Sequence, residues 1–482
     1  MIKLNQDIQK SNISTSSSLV FNSLKIIINV LFPFMIIPYI ARVLSVEQIG
    51  IYNWNLSIVN YLAILAGLSL PIIGIREIGQ VKNDPSKIDI IINNIFLIKI
   101  ITIFISFICI IPIAYYQEYN GSILIILSLI LIVEILAHEW VYIAFGDHKS
   151  ILLRNFISKI FLLFGTFIFI KDESDFFLFI VIYTISAIIP FIISYRYLFV
   201  EFKPKYIKFS DLKYINISTV KSFLISLLMA FYGKVDIVVL GFLLSSKELG
   251  LFTSAYKLVM LALVFITTWS MVLLPKSSSL FKEDEKKYIA FISKSLDLVL
   301  LFGLFVTITL IMYSQNIVLL IFGDKFYEVY YMVNMLAPIT VILSLYNVFI
   351  FQVLYIKDKY ISVIKLFSGL YIVFIGIILI FNININSILL LILIMNIVQL
   401  IYTWILVLRI YPIRLFDPNK LKIYFVSLTV VTFYLLFLEY KVLAFSDFII
   451  SISVTTLAYF TILFFLKENI LSLAFEKFIR KR

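Results

Sequence analysis

An all-α polytopic membrane protein is the fold class this sequence predicts, on three observations. Of its 482 residues, 62% are hydrophobic and 14% charged, where a soluble chain averages about half apolar and a quarter charged. The apolar residues come in continuous runs of about 20 or more. These are long enough to cross a hydrocarbon layer about 30 Å thick as helices, and they lack the period-two alternation of a membrane β-barrel. The segments between runs are short and concentrate Lys and Arg on alternate sides, as cytoplasmic loops do.

Fourteen spans are expected. The first, 17–41, follows a polar tail, MIKLNQDIQKSNISTSSS, which has neither the apolar core nor the small-residue cleavage site of a removable signal. Ser16 to Ser18 supply its N-cap, and Pro33 and Pro38 bend it. The second span (48–73) opens within the phrase VLSVEQIGIY, residues 43–52. The third (88–112) holds Lys99 near its middle and the single cysteine, Cys109, so no disulfide framework exists. The fourth (122–145) carries Glu134, His138 and Glu139, and the fifth (150–170) carries Lys159. A solvated acidic turn, KDESD at 171–175, leads to the sixth (176–199). The basic segment EFKPKYIKFSDLK, 201–213, precedes the seventh (215–243), with Lys221, Lys234 and Asp236. The eighth (250–275) follows a second phrase, LLSSKELGLF at 243–252, and holds Lys257. Asp297 lies in the ninth (289–322); the tenth is 329–356; Lys365 lies in the eleventh (360–381). The twelfth is 386–408, and a final pair occupies 421–438 and 446–466.

Orientation follows from basic residues. Placing the N-terminus inside puts 28 of the 40 Lys and Arg residues in cytoplasmic segments and only Arg42, Lys171, Lys247, Lys325 and Lys441 outside. Both termini are then cytoplasmic. The net charge of +12 is accounted for by the inner leaflet, and a nucleic-acid partner need not be invoked.

The two phrases belong to a longer repeat with an offset of 200 residues. Gly50 falls on Gly250, Tyr52 on Phe252 and Ser45 on Ser245, and further on Arg76 falls on Lys276, Asp84 on Asp284 and Lys87 on Lys287. The expected organisation is a six-helix lobe (1–200), a basic cytoplasmic linker (201–213), a second six-helix lobe (214–411), and an added helix pair with a basic tail (412–482). An even number of spans per lobe makes this a parallel repeat about an axis along the membrane normal, an arrangement used by secondary transporters.

Charges inside spans each cost about 2.5–3.5 kcal/mol on insertion scales and mark function or snorkelling. Lys221 and Lys365 lie near the cytoplasmic end, where snorkelling accounts for them; Lys25 admits either reading; Lys99 and Lys159 lie deeper and favour a cavity. Basic groups within spans outnumber acidic ones, which suits an anionic cargo bearing phosphate. Glu134 and His138, four residues apart, share a helix face and could exchange a proton; alternatively His138, Glu139 and Trp140 mark the interface. Glu134, His138, Glu139, Asp236 and Asp297 are the candidates for coupling to H+ or Na+. With two histidines and one cysteine no metal centre of familiar type is expected, and no Walker or Gly-rich phosphate motif is present. No cofactor is expected, and the outer loops are too small for a membrane polymerase. The chain reads as a transporter rather than an enzyme.

The stretch PYIARVLSVEQIGIYNWNLSIVNYLAILAGLSLPIIGIREIGQVKND (38–84) resembles the N-terminal signature of Wzx-type polysaccharide flippases. That signature runs P-Y-[LI]-A-R-x-L, then G-x-Y, then G-[ILT]-R-E-[IV]. Pro38, Arg42, Gly50, Tyr52, Arg76 and Glu77 occupy motif positions. KVDIVVLGFLLSSKELGLFTSAYKL (234–258) is similar to a second family stretch, with Asp236, Gly241, Gly250 and Lys257 matching. The resemblance covers about residues 15–411. It implies the multidrug/oligosaccharidyl-lipid/polysaccharide exporter fold: two six-helix bundles around a V-shaped central cavity that alternates in access. It also implies an undecaprenyl-diphosphate-linked oligosaccharide as cargo, moved from the inner to the outer leaflet of the bacterial cytoplasmic membrane for O-antigen or capsule synthesis. Polysaccharide polymerase and chain-length machinery would be its working partners. Lys25, Lys99, Lys159, Lys234 and Lys257 would then contact the diphosphate headgroup, with Lys25 and Lys257 foremost. The final helix pair departs from relatives that stop at twelve spans; in related lipid II flippases such a pair makes a groove for the lipid tail. An ion-coupled drug or metabolite exporter on the same fold, or a polymerase or ligase acting on the same lipid, are the alternatives.

Overall fold

The described apolar runs fold as helices; the seventh expected span lies outside the described residues up to residue 236. In the computed structural model, residues 15–67, 70–81, 84–116, 121–136, 139–201, 237–357, 359–381, 384–412, 417–437 and 445–465 are described, and among them no strand occurs. Nine of the described helices are long and apolar enough to cross a membrane, with two shorter apolar stretches, Leu31–Val43 and Gly121–Val133, beside them. The protein is a multi-pass helical membrane protein. The chain divides into two compact units, Met1–Ala230 with Asp236–Gly250, and Phe231–Val235 with Leu251–Arg482. The expected linker at 201–213 lies, but for its first residue, outside the described residues.

In the first unit, α1 (Thr15–Val43) runs through Pro33 and Pro38. The second expected span is carried by two helices, α2 (Val46–Gly67) and α3 (Leu70–Gln80). α4 (Pro85–Tyr116) is a single helix. The fourth expected span is interrupted at residues 129–130, between α5 (Gly121–Ser128) and α6 (Leu131–Leu136), and α7 (Glu139–Phe145) follows beyond residues 137–138, which lie outside the described residues. The break at 129–130 has a local cause. The Ser128 hydroxyl donates to the Ile125 carbonyl at 2.6 Å, and Leu129 and Ile130 donate three residues back, to Ile126 and Leu127, which tightens the turn. α8 (His148–Phe169) is capped by Asp147, whose side chain accepts from the Ser150 N–H, and α9 (Phe176–Glu201) follows.

α8 packs against α1 and α9, α2 against α4 and α5, and α3 against α7. The core between α3, α4 and α7 joins Leu70, Ile78, Ile92, Ile95 and Trp140. Gly74 lets the Trp140 ring lie on α3, since a Cβ there would meet the ring at 2.4 Å. α10 (Ile237–Leu243) packs on α2, which is why residues 236–250 group with the first unit. α11 (Ser246–Glu283) starts there and continues into the second.

In the second unit α12 (Glu285–Phe322) is non-helical at Tyr313 (φ −112°, ψ 17°). The tenth expected span is one helical stretch, Val329–Leu354, made of α13 (Val329–Leu336), α14 (Pro338–Asn347) and a π-helical turn, Val348–Leu354. Ala337 keeps helical angles between α13 and α14, and Pro338, lacking an N–H, leaves one helical hydrogen bond unmade there. α15 (Tyr360–Phe381) and α16 (Ile385–Leu408) pack together, and α16 and α12 both pack on α14. Thr307 and Thr340 share a hydrogen bond at 2.7 Å across α12 and α14.

The final pair, α17 (Pro418–Phe437) and α18 (Phe445–Phe465), rests on α12. Polar contacts fasten it at several levels. Lys420, fully buried, meets Asp297 at 3.0 Å and also its own N-cap, Asp417. The Tyr459 hydroxyl donates to the Leu301 carbonyl at 3.0 Å, and the Tyr313 hydroxyl pairs with Ser451 (2.7 Å) and Thr455 (2.5 Å).

The sequence repeat is a structural repeat in detail. Ser45 and Gln48 form a capping box at the start of α2: the Gln48 N–H donates to Ser45 Oγ at 3.2 Å and the Ser45 N–H to Gln48 Oε1 at 3.0 Å. Ser245 and Glu248 do the same at the start of α11, at 3.3 and 3.0 Å. Asp84 accepts from the Lys87 N–H and pairs with its ammonium at 3.2 Å; Asp284 accepts from the Lys287 N–H and pairs with its ammonium at 3.4 Å. Both carboxyls are held below their ordinary range, Asp84 first by the Ser86 hydroxyl and Asp284 first by the Lys287 N–H.

The two phrases also pack on each other within the first unit. A Cβ on Gly50 would lie 1.9 Å from the Ser246 carbonyl oxygen, and a Cβ on Gly250 would lie 2.1 Å from that of Val46. Val46 and Ser246 are themselves 200 residues apart, so the crossing has a local two-fold relation. Beside it Trp54 lies on Gly241, where a Cβ would meet the indole at 2.2 Å, and its N–H donates to the Val238 carbonyl at 3.2 Å.

Candidate functional site

Three charged side chains meet inside the first unit. α1 contributes Lys25, α7 contributes Glu139 in its first turn, and α8 contributes Arg154. The Lys25 ammonium donates to Glu139 Oε1 at 2.6 Å, and the Arg154 guanidinium donates to Glu139 Oε2 at 3.0 Å. Each cation thus takes one oxygen of the same carboxylate, and the three side chains carry a formal charge of +1.

The turn between α7 and α8 brings the pair together. Gly146 takes φ +79°, a conformation that favours glycine, and the chain folds back as a helical hairpin. Glu139 and Arg154 stand at nearly equal distances from that turn and so face each other. The two cations differ in setting. The Arg154 side chain is 4% exposed and lies over the rings of Tyr142 (5.0 Å) and Phe191 (5.7 Å), contacts that also favour a cation. Lys25 and Glu139 are 28% and 24% exposed. A permanently charged guanidinium therefore holds one oxygen of the carboxylate and a flexible ammonium the other. Lys25 is the more exposed of the two cations.

The other expected cations are dispersed. Lys99 is 2% exposed in α4, and Lys159 and Lys257 are partly buried in α8 and α11. Lys234, Asp236 and His138 lie outside the described residues, as do the side chains of Glu134 and Arg76. Asp297 sits in α12 against Lys420. Among the residues of the family motif, Gly50, Gly241 and Gly250 are the close-approach positions already described. Arg42 folds back on the Pro38 carbonyl at 2.9 Å. Tyr52 is edge-on to Phe179 and Tyr183 at 5.3 and 5.2 Å, and Glu77 is partly buried in α3.

Two residues central to these contacts were not singled out in the sequence. Arg154 reads there as a cytoplasmic loop residue; the signal was its position opposite Glu139 about FGDHKS, at 145–150. Lys420 reads as one more cytoplasmic lysine, and nothing near it in sequence points to Asp297. Among the described residues no group of His, Cys, Asp and Glu could hold a metal ion.

The sequence profile of the family described as "Polysaccharide biosynthesis protein" matches residues 17–281, more than half of the chain. A protein named "Putative O-antigen transporter" from Escherichia coli (strain K12) is 22% identical over 339 residues, which cover 68% of this chain and 80% of that protein. A solved structure titled "Lipid II flippase MurJ, inward closed conformation" superposes with a TM-score of 0.71 at 15% identity, covering 92% of this chain and 98% of that one. The last likeness carries the fold.

Proposed function

Because the chain belongs to the polysaccharide biosynthesis protein family, we propose that it translocates a lipid-linked oligosaccharide, an undecaprenyl-diphosphate-bound repeat unit, from the inner to the outer leaflet of the bacterial cytoplasmic membrane by alternating access. The observation that carries this reading is the excess cation held by Lys25 and Arg154 around Glu139 in the family-matched region. A diphosphate-sugar headgroup cannot enter hydrocarbon unaided, because its charges would lose their water without compensation. A positively charged polar site replaces part of that hydration while the polyprenyl tail stays in the bilayer. Lys25 in the first unit and Lys257 in the second are the headgroup ligands proposed first; Lys99, Lys159 and Lys234 are proposed as further cationic lining.

Binding by itself gives no direction. The membrane potential acting on charge, about 2.3 kcal/mol per elementary charge per 100 mV, an H+ or Na+ gradient acting through Glu134, His138, Glu139, Asp236 or Asp297, or consumption of product outside by a polymerase would supply it. The test is translocation of a labelled undecaprenyl-diphosphate oligosaccharide in proteoliposomes, with wild type beside Lys25→Ala and Lys257→Ala. Exposure of the sugar on the far leaflet by wild type and its loss in both variants is the expected result. Wild-type liposomes that leave the sugar in place while pumping an organic cation would transfer the protein to the exporter reading.

A further inference from the structure

Glu139 is the anion between two cations, Lys25 and Arg154. Its Oε2 is fixed by Arg154, which is nearly fully buried and framed by two aromatic rings. Its Oε1 faces Lys25 at 2.6 Å, where both side chains are about a quarter exposed. A carboxylate oxygen and a phosphate oxygen make the same kind of short, charge-assisted bond to an ammonium. The lysine stem has enough rotatable bonds to move between two anions, whereas the guanidinium is confined by its rings.

We propose that Glu139 is an internal competitor for the cargo's diphosphate: it holds the Lys25 ammonium when the site is empty, and cargo binding transfers that ammonium from Glu139 Oε1 to a phosphate oxygen while Arg154 keeps the carboxylate in place. This rests on the flippase reading above. The exchange replaces one ion pair by another, so the net gain from the Lys25–phosphate bond is small. A transport site needs that property, because it must release the headgroup on the far side. Glu139 acts here as a positioning residue that sets cargo affinity through Lys25.

The experiment uses the full-length protein in nanodiscs with undecaprenyl diphosphate as probe. Glu139→Gln removes the competing charge while keeping a hydrogen-bonding group of the same shape beside Arg154. It is expected to bind the lipid about tenfold tighter or more, the size of one charge-assisted bond, and to translocate it more slowly. The gain should vanish in the double variant Lys25→Gln/Glu139→Gln. A carboxylate serving only to stabilise the fold would instead give weaker binding, and one serving only in ion coupling would leave affinity unchanged; either outcome in folded Glu139→Gln overturns the proposal. Wild type provides a second measurement that does not depend on the variant folding. A carbodiimide should join Lys25 to Glu139 as an amide in the empty protein, and saturating undecaprenyl diphosphate should cut that yield several-fold, while undecaprenol should not. A yield indifferent to the diphosphate refutes the exchange. Wild type that moves no oligosaccharide lipid refutes the flippase reading itself; wild type that moves it, with affinity and cross-linking both insensitive to these perturbations, refutes only the role of Glu139.

Discussion

The crossing of the two repeated phrases makes a quantitative prediction. In Gly250→Ala the new methyl would lie 2.1 Å from the Val46 carbonyl oxygen, where ordinary contact begins at 3.4 Å, so α11 must retreat from α2 by about 1.3 Å. The obstacle is backbone and cannot rotate away, which puts the cost near the upper end of overpacking penalties, about 3 kcal/mol. Alanine returns about 1 kcal/mol through helix propensity, leaving a net loss of about 2 kcal/mol. Gly50→Ala, aimed at the Ser246 carbonyl from 1.9 Å, should lose about as much. The two substitutions ask for the same separation of the same helices, so the double variant incurs the steric cost once and gains the propensity twice. Its loss should be about 1 kcal/mol, smaller than either single and far from the roughly 4 kcal/mol that independent sites would give. Gly376→Ala in α15 meets nothing within 4 Å and serves as control, with a gain of up to about 1 kcal/mol. Equilibrium unfolding in mixed micelles, read by tryptophan fluorescence, measures all four. Additive losses, or a harmless Gly250→Ala, would show that the helices are not held together at this crossing.

Two further predictions concern charge. Lys420→Met leaves Asp297 and Asp417 without their shared cation, and loss of one partner from a buried pair costs about 3–5 kcal/mol. α17 and α18 should become protease-sensitive, with resistance partly restored in Lys420→Met/Asp297→Asn; unchanged resistance in the single variant would mean the contact does not fasten the pair. Asp84 and Asp284 have native carboxyl pKa values below their unfolded ones, so their contribution is present above the ordinary carboxylate range and lost as pH falls through the lowered native values. The thermal midpoints of wild type and Asp84→Asn/Asp284→Asn should therefore differ at neutral pH and converge below about pH 4; a gap that widens in acid would reverse the assignment.

Much of this was legible in the sequence, and the reasons can be located. Helical class and membrane residence follow from run length and composition, which need no tertiary information. The repeat was visible as paired small residues and charges, and the capping boxes were present in it as S-x-x-Q and S-x-x-E. That the phrases touch was not visible, because close approach depends on two backbones and leaves only glycine as its trace. The break inside the fourth expected span escaped because its sequence stays apolar there. Ser128 acts on a single hydrogen bond, which hydropathy does not register. The site was half legible: Lys25 and Glu139 stood out as charges in apolar runs, but nothing in a one-dimensional reading joins residues 114 positions apart.

Tyr313 interrupts α12, and its hydroxyl is met by Ser451 and Thr455 of α18, while the Tyr459 hydroxyl of the same helix reaches back to Leu301. The Tyr313, Ser451 and Thr455 hydroxyls meet one another across α12 and α18. Descent should therefore have kept or discarded them together: a homologous chain that ends after its twelfth helix is expected to carry phenylalanine or an aliphatic residue where this one has Tyr313, and a chain that retains the pair is expected to retain a hydroxyl on both sides. The terminal hairpin would then be inherited as one module with a mark on α12, and that mark could be used to sort relatives by architecture before any of them is expressed.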